Sequence, residues 1–196
     1  METHKPLEMD ESEALVSGTV YSLKSFPNLE PVSAPDTTFQ RQPAGGKKPY
    51  FYEVNDPQIA HVNQEGVVSA LRSGQVTVTV TDAAGQSKSY IVKIPKGKDF
   101  FVFGTARLRS LLDDANRELV QLSNLDDLRV LYQRFGNRWP LGDGQLWSTT
   151  GSSEEPEPPP PHPIETGHNY YTKDMKSGIE QTNDSGHVFT AIGRKL

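Results

Sequence analysis

The sequence predicts an all-β sandwich followed by an α+β domain of two helices and a small antiparallel sheet. Three observations carry this. Alternating apolar and polar residues, broken by turn signals about every ten positions, fill the first half. From residue 97 the apolar spacing becomes helical. After two helices the text returns to short strands. A chain of 196 residues has room for two domains of ~100 each.

Residues 1–13, METHKPLEMDESE, are polar and acidic and read as a disordered or tag-derived lead without the apolar run of a signal peptide. Residues 14–96 form the sandwich. Tyr50, Tyr52 and Val54 share one strand face. Val76, Val78 and Val80 share another, with Thr77, Thr79 and Thr81 opposite, and Tyr90, Val92 and Ile94 repeat the pattern. Turns are signalled at Asn55-Asp56-Pro57, Glu65-Gly66, Ser73-Gly74 and Ala84-Gly85. Residues 95–98, PKGK, read as a short hinge. Residues 97–196 form the second domain. FFVF at 100–103 is a buried-strand candidate. Leu108, Leu111, Leu112, Ala115 and Leu119 then lie on one helical face. Ser123 with Asp126 reads as the cap of a second helix. Its apolar face is Leu125, Leu128, Leu131, Tyr132 and Phe135, and Gly136 stops it. QLWSTT, HNYYTKDM and GHVFTAI are strand candidates. Residues 154–165, EEPEPPPPHPIE, cannot form a helix or a central strand, so they read as an extended insertion loop.

Composition excludes several functions. The net charge is −5 and no basic patch appears, which argues against nucleic acid. Cysteine is absent, which excludes a disulfide framework and thiolate metal sites without assigning a compartment. No apolar run reaches the ~20 residues that span a bilayer. The five histidines lack zinc-ligand spacing. There is no nucleophile elbow, phosphate loop or paired carboxylate face, so the chain is expected not to be an enzyme and to need no cofactor or metal.

Two stretches resemble known families. NDPQIAHVNQEGVVSALRSGQVTVTVTD, residues 55–82, resembles the bacterial immunoglobulin-like domain of group 2. Its pattern is Asp-Pro-x-Ile-Ala-x-Val, then Gly-Val-Val-x-Ala-Leu, then a glycine and alternating valine or threonine. In the second half, the two helices, LYQRFGNRWP, LWSTT, HNYYTKDMKSG and GHVFTAIGR resemble the C-type-lectin-like domain that caps the intimin and invasin adhesins of enterobacteria. The resemblance implies an Ig-like sandwich followed by a C-type-lectin-like domain. It also implies the receptor-binding tip of an inverse autotransporter on the bacterial surface, anchored by an upstream outer-membrane barrel and excised here as a fragment. Members often carry a disulfide in the terminal domain, which this chain cannot form. The proline-rich insertion is a second departure.

The partner so implied is a host protein: an integrin, an immunoglobulin or another host surface protein. Trp147 lies in a core strand of the resemblance. Trp139 follows a helix end and reads either as a plug under a loop or as a half-exposed anchor, since Trp is frequent at binding hot spots. Arg138, Tyr170 and Tyr171 are the other candidate anchors. Asp143, in GDG, and Asp184, in NDSG, are candidate exposed aspartates of the integrin-contact kind, or ordinary turn residues. EPE at 155–157 is a partial echo of a calcium-lectin loop, but no Trp-Asn-Asp follows. A sugar-binding lectin and a stalk module without its own ligand are the alternative readings.

Overall fold

The structure, a computed structural model, describes residues 5–141, 144–151, 169–184 and 187–195, without the side chains of Asn137, Gly151, Asn169 and Asp184. Contacts divide the chain into two compact units. One comprises Met1–Ser22 and Ser33–Lys98, the other Leu23–Val32 and Asp99–Leu196.

The first unit begins with β1 (Leu7–Glu8), β2 (Ala14–Leu15) and β3 (Val20–Leu23, whose last residue belongs to the second unit). It continues with β4 (Thr38–Gln40), β5 (Ala44–Gly45), β6 (Tyr50–Val54), β7 (Ala60–Val62), β8 (Val67–Ala70), β9 (Gly74–Asp82) and β10 (Ser87–Ile94). Sheet β2-β10-β9-β6 faces sheet β4-β8-β7. The period-2 valines fill the space between them. Val76, Val78, Val80, Val92 and Ile94 are fully buried with Ala60 and Val68, while the threonines on the other face pair with serines, Thr79 with Ser89 and Thr81 with Ser87. The β7–β8 turn needs positive φ at Gly66 and admits no Cβ there, because one would sit 2.8 Å from the Tyr52 ring. Asp82 closes the β9–β10 hairpin. Its carboxylate accepts N–H groups from Lys47, Ala84 and Gln86.

The expectation of a disordered lead at 1–13 is corrected from residue 5 onward. Leu7 is 4 % exposed and pairs with Gly45. Arg41 donates to the carbonyls of Asp10 and Ser12 at 2.8 and 2.7 Å and stacks on Tyr90 at 4.7 Å. Ion pairs Asp10–Arg41, Glu11–Lys88 and Glu13–Lys93 continue along the segment, and β2 runs parallel to β10. The acidic composition that suggested a solvated tail is matched to cations on the sandwich.

A second difference concerns Leu23–Val32, which was expected inside the sandwich at 14–96. Within the second unit, Lys24 N–H donates to Phe100 O at 2.7 Å, Val32 N–H donates to Arg134 O at 2.7 Å, and Lys24 pairs with Asp99. β10 ends at Ile94 and the next strand begins at Gly97.

That strand is β11 (Gly97–Arg107). It is followed by α1 (Leu108–Glu118), β12 (Val120–Leu122), α2 (Leu125–Phe135), β13 (Gln145–Gly151), β14 (Asn169–Asp174), β15 (Glu180–Asp184) and β16 (Val188–Lys195). The path is β15-β14-β13-β16-β11, with β12 beside β16. The sheet is mixed, not wholly antiparallel, because β13 and β16 run parallel. Adjacent Leu146 and Trp147 on β13 point to opposite faces. Trp147 joins Leu108, Leu111 and Ala115 of α1. Leu146 is opposite Lys173, whose ammonium lies 4.9 Å over the Tyr132 ring of α2. The helices therefore cover opposite faces.

Two helix-end readings change. Asn124, not Ser123, caps α2, its Oδ1 accepting Asp127 N–H at 2.8 Å. Leu119 leaves the apolar face of α1. It sits in the left-handed region (φ 56°, ψ 48°) and is 67 % exposed. The insertion at 154–165 lies outside the described residues.

Candidate protein-binding surface

Among the described residues, two of the sequence-derived candidates, Trp139 and Tyr170, are buried. Arg138 is exposed at the end of a 3-10 turn, Gly136–Arg138. Trp139, the next residue, is 6 % exposed, so the anchor reading is corrected: its ring is packed inside, and its Nε1 has no partner among the described residues. Tyr170 is corrected likewise at 5 % exposed. Alternation along β14 is the reason. Tyr170 points to the face shared with Trp147 and α1, so Tyr171 points to the α2 face with Lys173, half-buried. Trp147 is buried as expected, and its Nε1 donates to Ala106 O at 3.2 Å. Asp143 lies outside the described residues. Asp184 ends β15 opposite Asn169, at the hairpin end where Gly151 pairs with Tyr170.

The other end of that hairpin carries a turn at 174–179 that is fixed by several hydrogen bonds. Asp174 anchors it. Its carboxylate accepts Lys176 N–H at 2.9 Å and the Ser177 hydroxyl at 2.6 Å. Its carbonyl accepts Gly178 N–H, and its N–H donates to Ile179 O, both at 2.8 Å. Met175 is buried, and its N–H donates to Gly144 O at 2.8 Å. The strand preceded by Asp143 therefore starts beside this turn. Gly178 has φ 77°, and a Cβ there would lie 2.7 Å from Tyr132 Cζ.

Charge pairs brace the base. Lys173 is almost fully buried, and its Nζ donates to Gly178 O and Glu180 Oε1, both at 2.9 Å. Glu180 also receives both arms of Arg129, at 2.9 and 2.8 Å, and Arg129 reaches Asp126. The Arg129 hydrogen bonds hold the Glu180 carboxyl down at about 2, with Lys173 adding to them against burial. The Ser177 hydroxyl and the Lys176 N–H likewise lower Asp174. Bidentate, charge-assisted bonds of this kind fix geometry as well as adding energy.

The braced turn displays Ile179, 60 % exposed. Sequence reading missed it. EQTND, now β15, has no apolar alternation, so the hairpin was invisible; the Ser177-Gly178 turn signal followed by an isoleucine was the available clue. Among the described residues, no group of His, Asp and Glu is arranged to hold a metal ion.

Residues 35–92 match the family described as Bacterial Ig-like domain (group 2). The matched stretch runs from the turn before β4 to β10 and includes the DPQIAHV and GVVSAL residues. No curated protein matches the chain. Among solved structures, the chain is similar to intimin in a complex with Tir90, at 15% identity and TM-score 0.48, covering 97% of this chain and 100% of that one. It is similar to an intimin mutant of EHEC O157:H7 at 16% identity and TM-score 0.46, with coverage of 97% and 100%. A third is invasin, described as a bacterial integrin-binding protein, at 13% identity and TM-score 0.42, with coverage of 91% of this chain and 35% of that one.

Proposed function

We propose that this chain is the receptor-contacting end of a bacterial surface adhesin, and that its second unit binds a host protein. The order of parts supports the reading: a segment matching the bacterial Ig-like family precedes the unit bearing the adhesin-like motifs LYQRFGNRWP, LWSTT and HNYYTKDMKSG. The observation that carries it is the turn at 174–179. An aliphatic side chain stands in water on a backbone fixed by hydrogen bonds and braced by Lys173, Glu180 and Arg129. Such a group loses little conformational freedom when a partner covers it, and binding residues are characteristically loops held on a rigid scaffold.

Ile179 is the apolar centre of the proposed contact, with Arg138 and the loop containing Asp143 as further candidates. An interface of standard size buries ~800 Å² on each partner. The partner is an integrin, an immunoglobulin or another host surface protein, and the chain is carried at the bacterial surface by an upstream barrel. A sugar lectin is less well supported, because Trp139, Trp147 and Tyr170 bury the rings that would stack on a saccharide.

The test is photo-crosslinking from position 179 of the full chain on intact host cells and in serum, followed by mass spectrometry of the crosslinked protein. One saturable partner is expected, with Ile179→Asp weakening its binding by ~ten-fold or more at unchanged melting temperature. Saturable binding that survives Ile179→Asp removes this surface but leaves the adhesin reading. Absence of saturable binding to cells and serum removes both.

A further inference from the structure

We propose that the first unit is a mechanical clamp: its opening segment and its closing strand lie side by side so that tension along the chain loads their contacts in shear. The proposal rests on the adhesin reading, in which a chain carried from an upstream anchor and bound through its second unit is pulled from both sides of the first.

The direction of the two strands carries it. The Gln86 side chain accepts Leu7 N–H at 3.1 Å and donates to Lys5 O at 3.3 Å. Glu11 pairs with Lys88 at 2.8 Å. Ala14 and Leu15 of β2 lie beside Val92 and Lys93 of β10. Val16 N–H donates to Lys93 O at 2.9 Å, and Val20 N–H donates to Lys96 O at 3.0 Å. Residue numbers rise together on both sides, so the segment runs parallel to β10. The other pairings within sheets β2-β10-β9-β6 and β4-β8-β7 are antiparallel. Tension draws the opening segment backward from its start and β10 forward from its end. Parallel neighbours then slide against each other, and their evenly spaced bonds are stretched together. Antiparallel terminal strands would open from one end, a bond at a time.

Side chains add ties along the same line. Arg41 donates to the carbonyls of Asp10 and Ser12 while its guanidinium lies over the Tyr90 ring of β10. Glu13 pairs with Lys93 at 2.8 Å. Exposed ion pairs contribute little to equilibrium stability. Set in a row across two strands that slide under load, they resist the unfolding step, and forced unfolding is governed by the rate of that step.

Single-molecule pulling of the full chain tests it. The chain has no cysteine, so two introduced thiols define the direction of force. Lys5→Cys with Lys96→Cys loads the segment against the end of β10. Lys5→Cys with Ala84→Cys lifts the same segment from its start, next to Gln86. All three positions are exposed. Bonds that share a load in shear break in turn when peeled, so the Lys5/Lys96 pair should rupture at ~two-fold or more the force of the Lys5/Ala84 pair. Arg41→Met keeps an unbranched chain over Tyr90 but gives up the bonds to Asp10 and Ser12, and it should lower the Lys5/Lys96 force. Glu11→Gln with Glu13→Gln, which leaves the core untouched, should lower it too. Equal forces in the two directions overturn the clamp and leave the adhesin reading standing. So does a Lys5/Lys96 force that stays at the parent's value in the Glu11→Gln, Glu13→Gln variant. Absence of saturable binding to cells and serum removes the source of the load, and with it this function, whatever the rupture forces.

Discussion

Trp139 is placed by its neighbours, not by its residue type. It follows the tight turn at Gly136, to whose carbonyl its N–H donates at 3.1 Å, and this carries the ring inward. Trp139→Ala should cost ~3–5 kcal/mol in chemical denaturation, the range for emptying a large aromatic site, while the protein that stays folded keeps its affinity for any partner. Loss of affinity without loss of stability would show that the ring is a contact residue after all. Glu180 poses the opposite case, a charged residue with a structural task. Its folded pKa of about 2 lies below the ordinary 4.5. Its stabilisation is therefore complete above about pH 4.5 and is lost as pH falls toward 2. The buried Asp82 acts in the same direction: burial raises its pKa, but the N–H groups of Lys47, Gln86 and Ala84 outweigh that and leave it lowered. Glu180→Gln should lower stability at pH 7 by ~1–2 kcal/mol, less than the pKa displacement alone suggests because the side chain is 26 % exposed. It should also flatten the decline between pH 4.5 and 2. An acid titration of the variant parallel to the parent's would refute this role.

At the scale of elements, helix ends and hairpins turn on single side chains. Asn124→Ala removes the oxygen that accepts Asp127 N–H and should cost ~1 kcal/mol, whereas Ser123→Ala should not reproduce that loss of capping. Equal losses of helicity on heating would put the cap back at Ser123. Gly178→Ala tests the turn. It demands positive φ of an alanine and drives its Cβ into the Tyr132 ring, so a loss of ~1–3 kcal/mol is expected, with weaker crosslinking from position 179. β12 and β15 went unread for a physical reason. VQL is too short to show a period, and EQTND has no apolar face because none of the side chains at 180–183 is buried in this edge strand.

For the whole molecule, the acidic start of the chain is part of the first unit. Deleting residues 1–13 removes the buried Leu7, the strand pairing with β5 and the ion pairs to Arg41, Lys88 and Lys93. A loss of ~2–4 kcal/mol in that unit is expected, mostly from Leu7 and the Arg41 anchorage, since exposed ion pairs contribute little each. Calorimetry in 0.1 and 1 M salt separates the parts, because only the ion-pair share should fade. An unchanged melting profile after the deletion would return the segment to the status of a tail. Millimolar calcium or a chelator should leave the profile in place; a rise with calcium would reveal a bound ion, which must stabilise the native state.

The sequence by itself determined the sandwich and the two helices. Each is a repeating pattern: Val76, Val78 and Val80 at a period of two, Leu108, Leu111 and Ala115 along α1, and Leu125, Leu128 and Leu131 along α2. A period needs only one strand or one helix to act, so the local text contains it. The tertiary structure decided everything that depended on what lies opposite. It turned Tyr170 inward and Tyr171 toward α2, because two neighbouring strand residues cannot share a face. It tied the polar start of the chain to cations more than 25 residues away, and it assigned Leu23–Val32 to the second unit through Phe100 and Arg134. It exposed Ile179, because a turn is held by Tyr132 and Arg129 of α2 and by Gly144 before β13, two separate parts of the chain. Long-range pairings of this kind leave no local period, and the candidate surface is built from them.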